Sequence, residues 1–236
     1  MINPLLLPQN YAVFGLANPF AVPDHQVAAW FHAHMTGPFG TLLKILTELG
    51  SGRFIGVVLF FTALLFIWKR WWPSLVTLIV AVPGGMLLNE WVKVLVQRQR
   101  PFLEGSLVDW SGYSFASGHT IGATLLYGQF LLFILPAMKA RHWRVLTIFG
   151  AALVVAMVGF SRIALGAHFL TDVVAAIVFG IIWLTLCLII GKPMRRNSGP
   201  YLPIVEPQPI DAAAVLVPVE QIAQPVRIPQ LIKDRS

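Results

Sequence analysis

Five stretches of about twenty residues each, at roughly 50–68, 73–95, 118–138, 143–162 and 168–190, consist mostly of Leu, Ile, Val, Phe, Ala and Gly. Wound as α-helices at about 1.5 Å per residue, such stretches match the hydrocarbon thickness of a bilayer. In lipid, backbone N–H and C=O groups must be paired within the protein, which selects helices over open sheets. The expected fold is therefore all-α, a polytopic transmembrane helical bundle with five strong spans, six if the N-terminal stretch also crosses. Composition agrees: 57% of the 236 residues are hydrophobic and 11% are charged, against about 25% charged in a soluble domain. The mean hydropathy is +0.74, so an ordinary soluble fold is excluded. The single Cys187 lies within the last apolar stretch, which excludes a disulfide framework and a cysteine-based metal site.

The chain divides into residues 1–49, 50–191 and 192–236. Residues 1–23 carry no charge but are broken by Pro4, Pro8, Pro19 and Pro23, which favours an interfacial or re-entrant segment over a clean span. The first basic residue is Lys44, so the basic n-region of a secretory signal peptide is missing. Residues 24–46 read as an amphipathic surface helix with Asp24 as its cap and Trp30 and Phe31 as interface anchors. From Lys192 onward, eight of the seventeen prolines and no sustained periodicity indicate a disordered tail. Lys69 and Arg70, then Lys139, Arg141 and Arg144, then Lys192, Arg195 and Arg196 all fall on one side of a five-span zigzag. The positive-inside bias makes that side, and the tail, cytoplasmic. The excess of 17 basic over 10 acidic residues then reflects membrane topology and anionic lipid, and no nucleic-acid partner is implied.

The opposite face should be the less basic one, yet three clusters of ionisable residues gather at span ends there. Such residues default to a functional reading. The first is Lys93 to Arg100, followed by Pro101. Seven residues are two helical turns, which puts both cations on one helix face about 10 Å apart. Two cations aimed at one place suit a phosphate, and an arginine adds a planar fork. Snorkelling to lipid head groups is the alternative. Arg98 faces elsewhere and is expected to snorkel, and Glu90 is placed to pair with Lys93. The second cluster is Ser117-Gly118-His119, opening the third strong span. Ser117 reads as an N-cap, Gly118 lets a ligand approach the backbone, and the helix start favours an anion. His119 there either exchanges a proton or is an interfacial histidine on a capped helix. The third is Ser161-Arg162 followed by His168 and Asp172. Residues 168 and 172 stack on one helix face, so the carboxylate could orient the imidazole and leave the other ring nitrogen to attack. A metal site or a static bridge are the alternatives, and too few further donors lie on this face to finish a metal site. Three cations, a helix N-terminus and two histidines make an inventory for phosphoryl transfer.

Lys-x6-Arg-Pro, Ser-Gly-His and Ser-Arg-x5-His-x3-Asp, in this order and each at a span end, resemble the tripartite signature of the type 2 phosphatidic acid phosphatase superfamily. The resemblance covers about residues 50–190. The superfamily includes membrane lipid phosphatases, undecaprenyl-diphosphate phosphatases and vanadium haloperoxidases, and the apolar spans exclude a soluble haloperoxidase. Ala116 stands where the family usually has proline, a departure outside the chemistry. The resemblance implies that His168 is the nucleophile, that Asp172 orients it, and that His119 is the general acid. It implies that Lys93, Arg100, Arg162, Ser117 and Gly118 hold the phosphate, and that neither metal nor cofactor takes part. Ser161 is given a structural role first.

A site at the membrane boundary implies a phosphorylated lipid as partner. Phe102, Trp110, Tyr113 and Phe115 in the adjoining loop read as lid or interface residues, and Glu104 and Asp109 as solvation. With the active face on the outer, periplasmic side of a bacterial inner membrane, conversion of undecaprenyl diphosphate to undecaprenyl phosphate is the first expectation. Phosphatidylglycerophosphate, phosphatidic acid and lipid A phosphates are close alternatives. A non-catalytic lipid-phosphate binder or transport protein is the alternative from another class. The broken-helix signal Pro83-Gly84-Gly85 has no counterpart of the kind a transporter repeat would show. The motifs do not specify an oligomeric state.

Overall fold

The computed structural model describes residues 12–13, 16–17, 19–34, 38–101 and 112–196. Among these residues a two-residue pair, β1 (Ala12–Val13) and β2 (Leu16–Ala17), precedes seven helices. These are α1 (Ala21–His34), α2 (Pro38–Glu48), α3 (Gly52–Trp68), α4 (Trp72–Val96), α5 (Gly118–Ile134, extended by a 3-10 turn to Ala137), α6 (Arg141–Ala164) and α7 (Leu170–Arg196). Among the described residues, five helical runs are long and apolar enough to cross a membrane: Phe39–Trp68, Trp72–Val96, Gly118–Ala137, Arg141–Ala164 and Leu170–Gly191. The structure is thus the expected all-α bundle with five spans.

Helix α5 is the hub. It packs against α3, α4, α6 and α7, and its residues Thr120 to Leu126 are buried without interruption. A helical stretch buried on all sides shows no apolar stripe, as in residues 120–126. Close approach depends on small residues. A Cβ at Gly122 would meet Ile55 at 2.5 Å, and one at Gly180 would meet Thr124 at 2.7 Å. Gly150 has open space instead, so its small size is not a packing device. Outward, Phe60, Phe61, Trp91, Leu95, Phe149 and Ile190 are exposed, an apolar surface that suits lipid and not water.

Three expectations need correction. Residues 24–46 are not one surface helix. They contribute to α1, which packs on α6 and α7, and to α2, which packs on α6. Asp24 is the fourth residue of α1 rather than its cap, and it is buried. The first membrane-length run begins at Phe39 and not at 50, because the backbone bonds Leu49 to Leu46, Gly50 to Thr47 and Ser51 to Glu48 carry α2 tightly into α3. Helix α7 continues to Arg196, past the expected start of the tail at Lys192. The rest of the tail, most of residues 1–18, and Phe102, Glu104, Asp109 and Trp110 lie outside the described residues. Every described residue belongs to one compact unit.

Candidate active site

The four spans α4 to α7 alternate in direction, so the ends of α4 and α6 meet the starts of α5 and α7. Backbone bonds tie these ends together. The Ser117 amide donates to the Asp172 carbonyl at 3.3 Å, and the Ala167 and His168 amides donate to the Arg162 carbonyl at 3.0 and 3.3 Å. Gly166 takes φ +73° in the turn between α6 and α7, a conformation that suits glycine. That turn folds residues 165–169 back over the end of α6, and all five are buried.

His168 therefore sits in the turn before α7 and not on the helix, which begins at Leu170. Its Nδ1 lies 3.7 Å from Asp172 Oδ2. Asp172 is the third residue of α7, and its Oδ2 accepts the Phe169 amide at 2.9 Å. This is the acidic half of a capping box, satisfying a helix-start donor while holding the carboxylate still. Ser114 also donates to Oδ2, and its Oγ is 3.5 Å from His168 Nδ1. Oδ1 accepts Arg98 Nη1 at 2.6 Å. On the opposite edge of the imidazole, Arg100 Nη1 approaches Nε2 to 3.4 Å while donating to the Ala167 carbonyl at 3.0 Å. A guanidinium has only donors, so the lone pair faces it from Nε2 and the ring proton belongs on Nδ1, toward the carboxylate. Burial pushes the His168 pKa down to about 4, with the nearby Asp172 carboxylate opposing. At neutral pH the ring is an uncharged imidazole with an available lone pair. Burial likewise lowers the Arg100 pKa from its ordinary value.

The Lys93–Arg100 pair is brought here differently from the expectation. Helix α4 ends at Val96, where Gln97 turns left-handed at φ 49°, ψ 32°. Arg98 and Arg100 are thus carried by non-helical chain, and no common helix face with Lys93 exists. Past the turn, helical spacing no longer says where a side chain goes. Lys93 bonds Glu90 at 2.6 Å, as expected. A Cβ at Gly118 would lie 3.2 Å from Lys93 Nζ, so the missing side chain admits the ammonium to the start of α5. Ser117 occupies the N-cap position without a side-chain capping bond. Its Oγ accepts from Thr120 at 2.9 Å and keeps its own proton to donate. Arg162 is 3% exposed and donates to Thr47 of α2 at 3.0 Å. The charges of Arg162, Lys93 and Arg100, and the His168 ring, all act on His119. The three clusters thus converge at one end of the bundle.

Five participants have no counterpart among the expected site residues. Arg98 does not snorkel. It is 1% exposed and bridges Asp172 and Asp24, the latter at 2.8 Å. Thr171 donates from its amide to Asp24 at 3.1 Å. Ser114 and Thr47 carried no signal, being single hydroxyls outside any motif. Asp24 did carry one: it is the first charge in an otherwise uncharged stretch, and such a charge needs a partner. Among the described residues, no group of three or more His, Cys, Asp or Glu could hold a metal ion.

The family model of the PAP2 superfamily matches residues 74–195, which span all three clusters. The chain belongs to the PAP2 superfamily. Phosphatidylglycerophosphatase B of Bacillus subtilis (strain 168) is 32% identical over 171 residues, covering 71% of this chain and 78% of its own. In three dimensions the fold is similar to the transmembrane PAP2-type phosphatidylglycerolphosphate phosphatase from Bacillus subtilis, with TM-score 0.68 at 23% identity over 77% of this chain and 90% of that one. It is also similar to Aquifex aeolicus LpxE, with TM-score 0.54 at 22% identity over 71% and 95%. This PAP2 protein is accordingly an integral membrane lipid phosphatase, a hydrolase of phosphoric esters. The reading as a non-catalytic binder or transport protein is thereby set aside.

Proposed function

We propose that this phosphatase removes the terminal phosphate of phosphatidylglycerophosphate through a phosphohistidine on His168. The observation that carries the chemistry is the imidazole held between Asp172 at Nδ1 and Arg100 at Nε2. Nε2 attacks phosphorus, the phosphorus–oxygen bond to the lipid breaks, and His119 gives its proton to the leaving oxygen. Water then attacks phosphorus as His119 takes a proton from it, and the phosphorus–nitrogen bond breaks, releasing phosphate and restoring the neutral His168 ring. Asp172 orients the ring and stabilises its cationic form. Lys93, Arg100 and Arg162 neutralise the oxygens of the transferred group, with Ser117 and the start of α5 at Gly118 completing the cradle. The chemistry calls for no metal ion.

The choice of lipid reorders the expectation from sequence, which put undecaprenyl diphosphate first. It leans on the 32% identical relative named for phosphatidylglycerophosphate. The basic clusters at 69–70, 139–144 and 192–196 support placing the site on the outer face and the C-terminus in the cytoplasm. The test is phosphate release by purified protein with chelator present, from phosphatidylglycerophosphate, phosphatidic acid, undecaprenyl diphosphate and a lipid A phosphate. The expected result is fastest release from phosphatidylglycerophosphate, with activity lost in His168→Ala. Fastest release from another lipid overturns the substrate assignment, and an unchanged rate in His168→Ala overturns the chemistry.

A further inference from the structure

Burying an arginine is costly unless its charge is matched. Arg98 is matched twice, from two helices distant in sequence. Nη1 donates to Asp172 Oδ1 at 2.6 Å and to Thr171 Oγ1 at 2.8 Å, and Nη2 donates to Asp24 Oδ2 at 2.8 Å. The guanidinium carbon lies 4.2 Å above the Phe169 ring. Both carboxylates are buried with it. Asp24 belongs to α1, outside the residues matched by the family model.

This arrangement uses the two oxygens of Asp172 for two tasks. Oδ1 is taken by Arg98, which leaves Oδ2 for the side facing His168, Ser114 and the Phe169 amide. A carboxylate gripped at one oxygen cannot swing the other away. We propose that Arg98, anchored from behind by Asp24, is a positioning residue that fixes the Asp172 carboxylate against His168 and makes α1 part of the active site. It rests on the proposed role of His168 as nucleophile. One cation between two acids leaves a single net negative charge behind the imidazole, which supports the positive ring formed on phosphorylation. Without Arg98 two buried carboxylates face each other, a repulsion that removing Asp24 relieves. The charged and titratable groups around this pair are His25 beside Phe169, His168, and Arg100 and Arg162 across the ring.

The test measures kcat, KM and thermal midpoint in detergent on phosphatidylglycerophosphate for Arg98→Gln, Asp24→Asn, the double variant and His168→Ala. The expected result is a fall in kcat of about 10-fold or more for Arg98→Gln, with KM within about 2-fold. Asp24→Asn falls about 3-fold or more at unchanged KM, and the double variant recovers part of the kcat lost in Arg98→Gln. Recovery despite the loss of one more buried contact separates positioning from simple structural support. Wild-type kcat in Asp24→Asn overturns the inference, even if Arg98→Gln does not fold. So does a double variant no faster than Arg98→Gln. Either result alongside an inactive His168→Ala leaves the nucleophile standing, whereas an active His168→Ala removes the reading on which this rests.

Discussion

Around His168, three neighbours decide its behaviour: Asp172 at Nδ1, Arg100 at Nε2, and the walls that bury it. The carboxylate was legible from the spacing of four, although the geometry that realises it is a turn and a capping box rather than a shared helix face. Ser114 was not legible, because a loop hydroxyl 54 residues from His168 has no pattern to betray it. If Asp172 orients the ring, Asp172→Asn lowers kcat by about 100-fold or more, within the range of general acid–base effects. Steady-state kinetics check this, with KM expected to change little. Burial also makes a statement about pH. The folded ring titrates at about 4 against an ordinary 6.5, so between these values the unfolded chain binds a proton that the folded one refuses. Stability is therefore full above pH 6.5 and falls as pH drops toward 4. Thermal midpoints of wild type and His168→Asn over that window test this, the variant being expected to lose less. Gly118 offers a further check. A Cβ there lies 3.2 Å from Lys93 Nζ, so Gly118→Ala displaces the ammonium. Activity is expected to fall about 10-fold, while the thermal midpoint holds or rises, since alanine suits a helix better by about 0.5–1 kcal/mol.

At the scale of elements, the spans were legible because lipid demands long uninterrupted apolar helices, and only their ends shifted. What the spacing could not show is where a helix stops. Val96 ends α4 four residues before Arg100, and the left-handed Gln97 sends Arg98 inward to Asp24 and Asp172. A helical wheel drawn through that turn sends Arg98 to the lipid. Nor did sequence reveal that α1 is held by a buried ion pair, since its partner lies 74 residues away. The packing of α5 against α7 gives a contrast that can be measured. Gly180 meets Thr124 at 2.7 Å, while Gly150 has open space. Gly180→Val is expected to lower the thermal midpoint, by an overpacking cost of about 1–3 kcal/mol, whereas Gly150→Val leaves it nearly unchanged. Equal shifts in the two variants would contradict the close α5–α7 contact.

For the whole molecule, five spans place the loop at Lys139–Arg144 and the loop at Tyr113 on opposite membrane faces. Lys139→Cys and Tyr113→Cys, each in a Cys187→Ser background, are expected to react with an impermeant maleimide from opposite sides of sealed vesicles. Labelling of both from one side would refute the topology. The bundle brings three clusters, spread over eighty residues of sequence, to one end, where cations surround two imidazoles. The central claim is that a phosphoryl group passes through His168, and it has a direct test. Enzyme is mixed with lipid substrate labelled in its terminal phosphate, quenched in alkali during turnover, and digested. The account predicts label on the peptide containing His168, stable to alkali, lost in acid, and missing from His168→Ala. Turnover with no label on the protein, or label on a different residue, would contradict it.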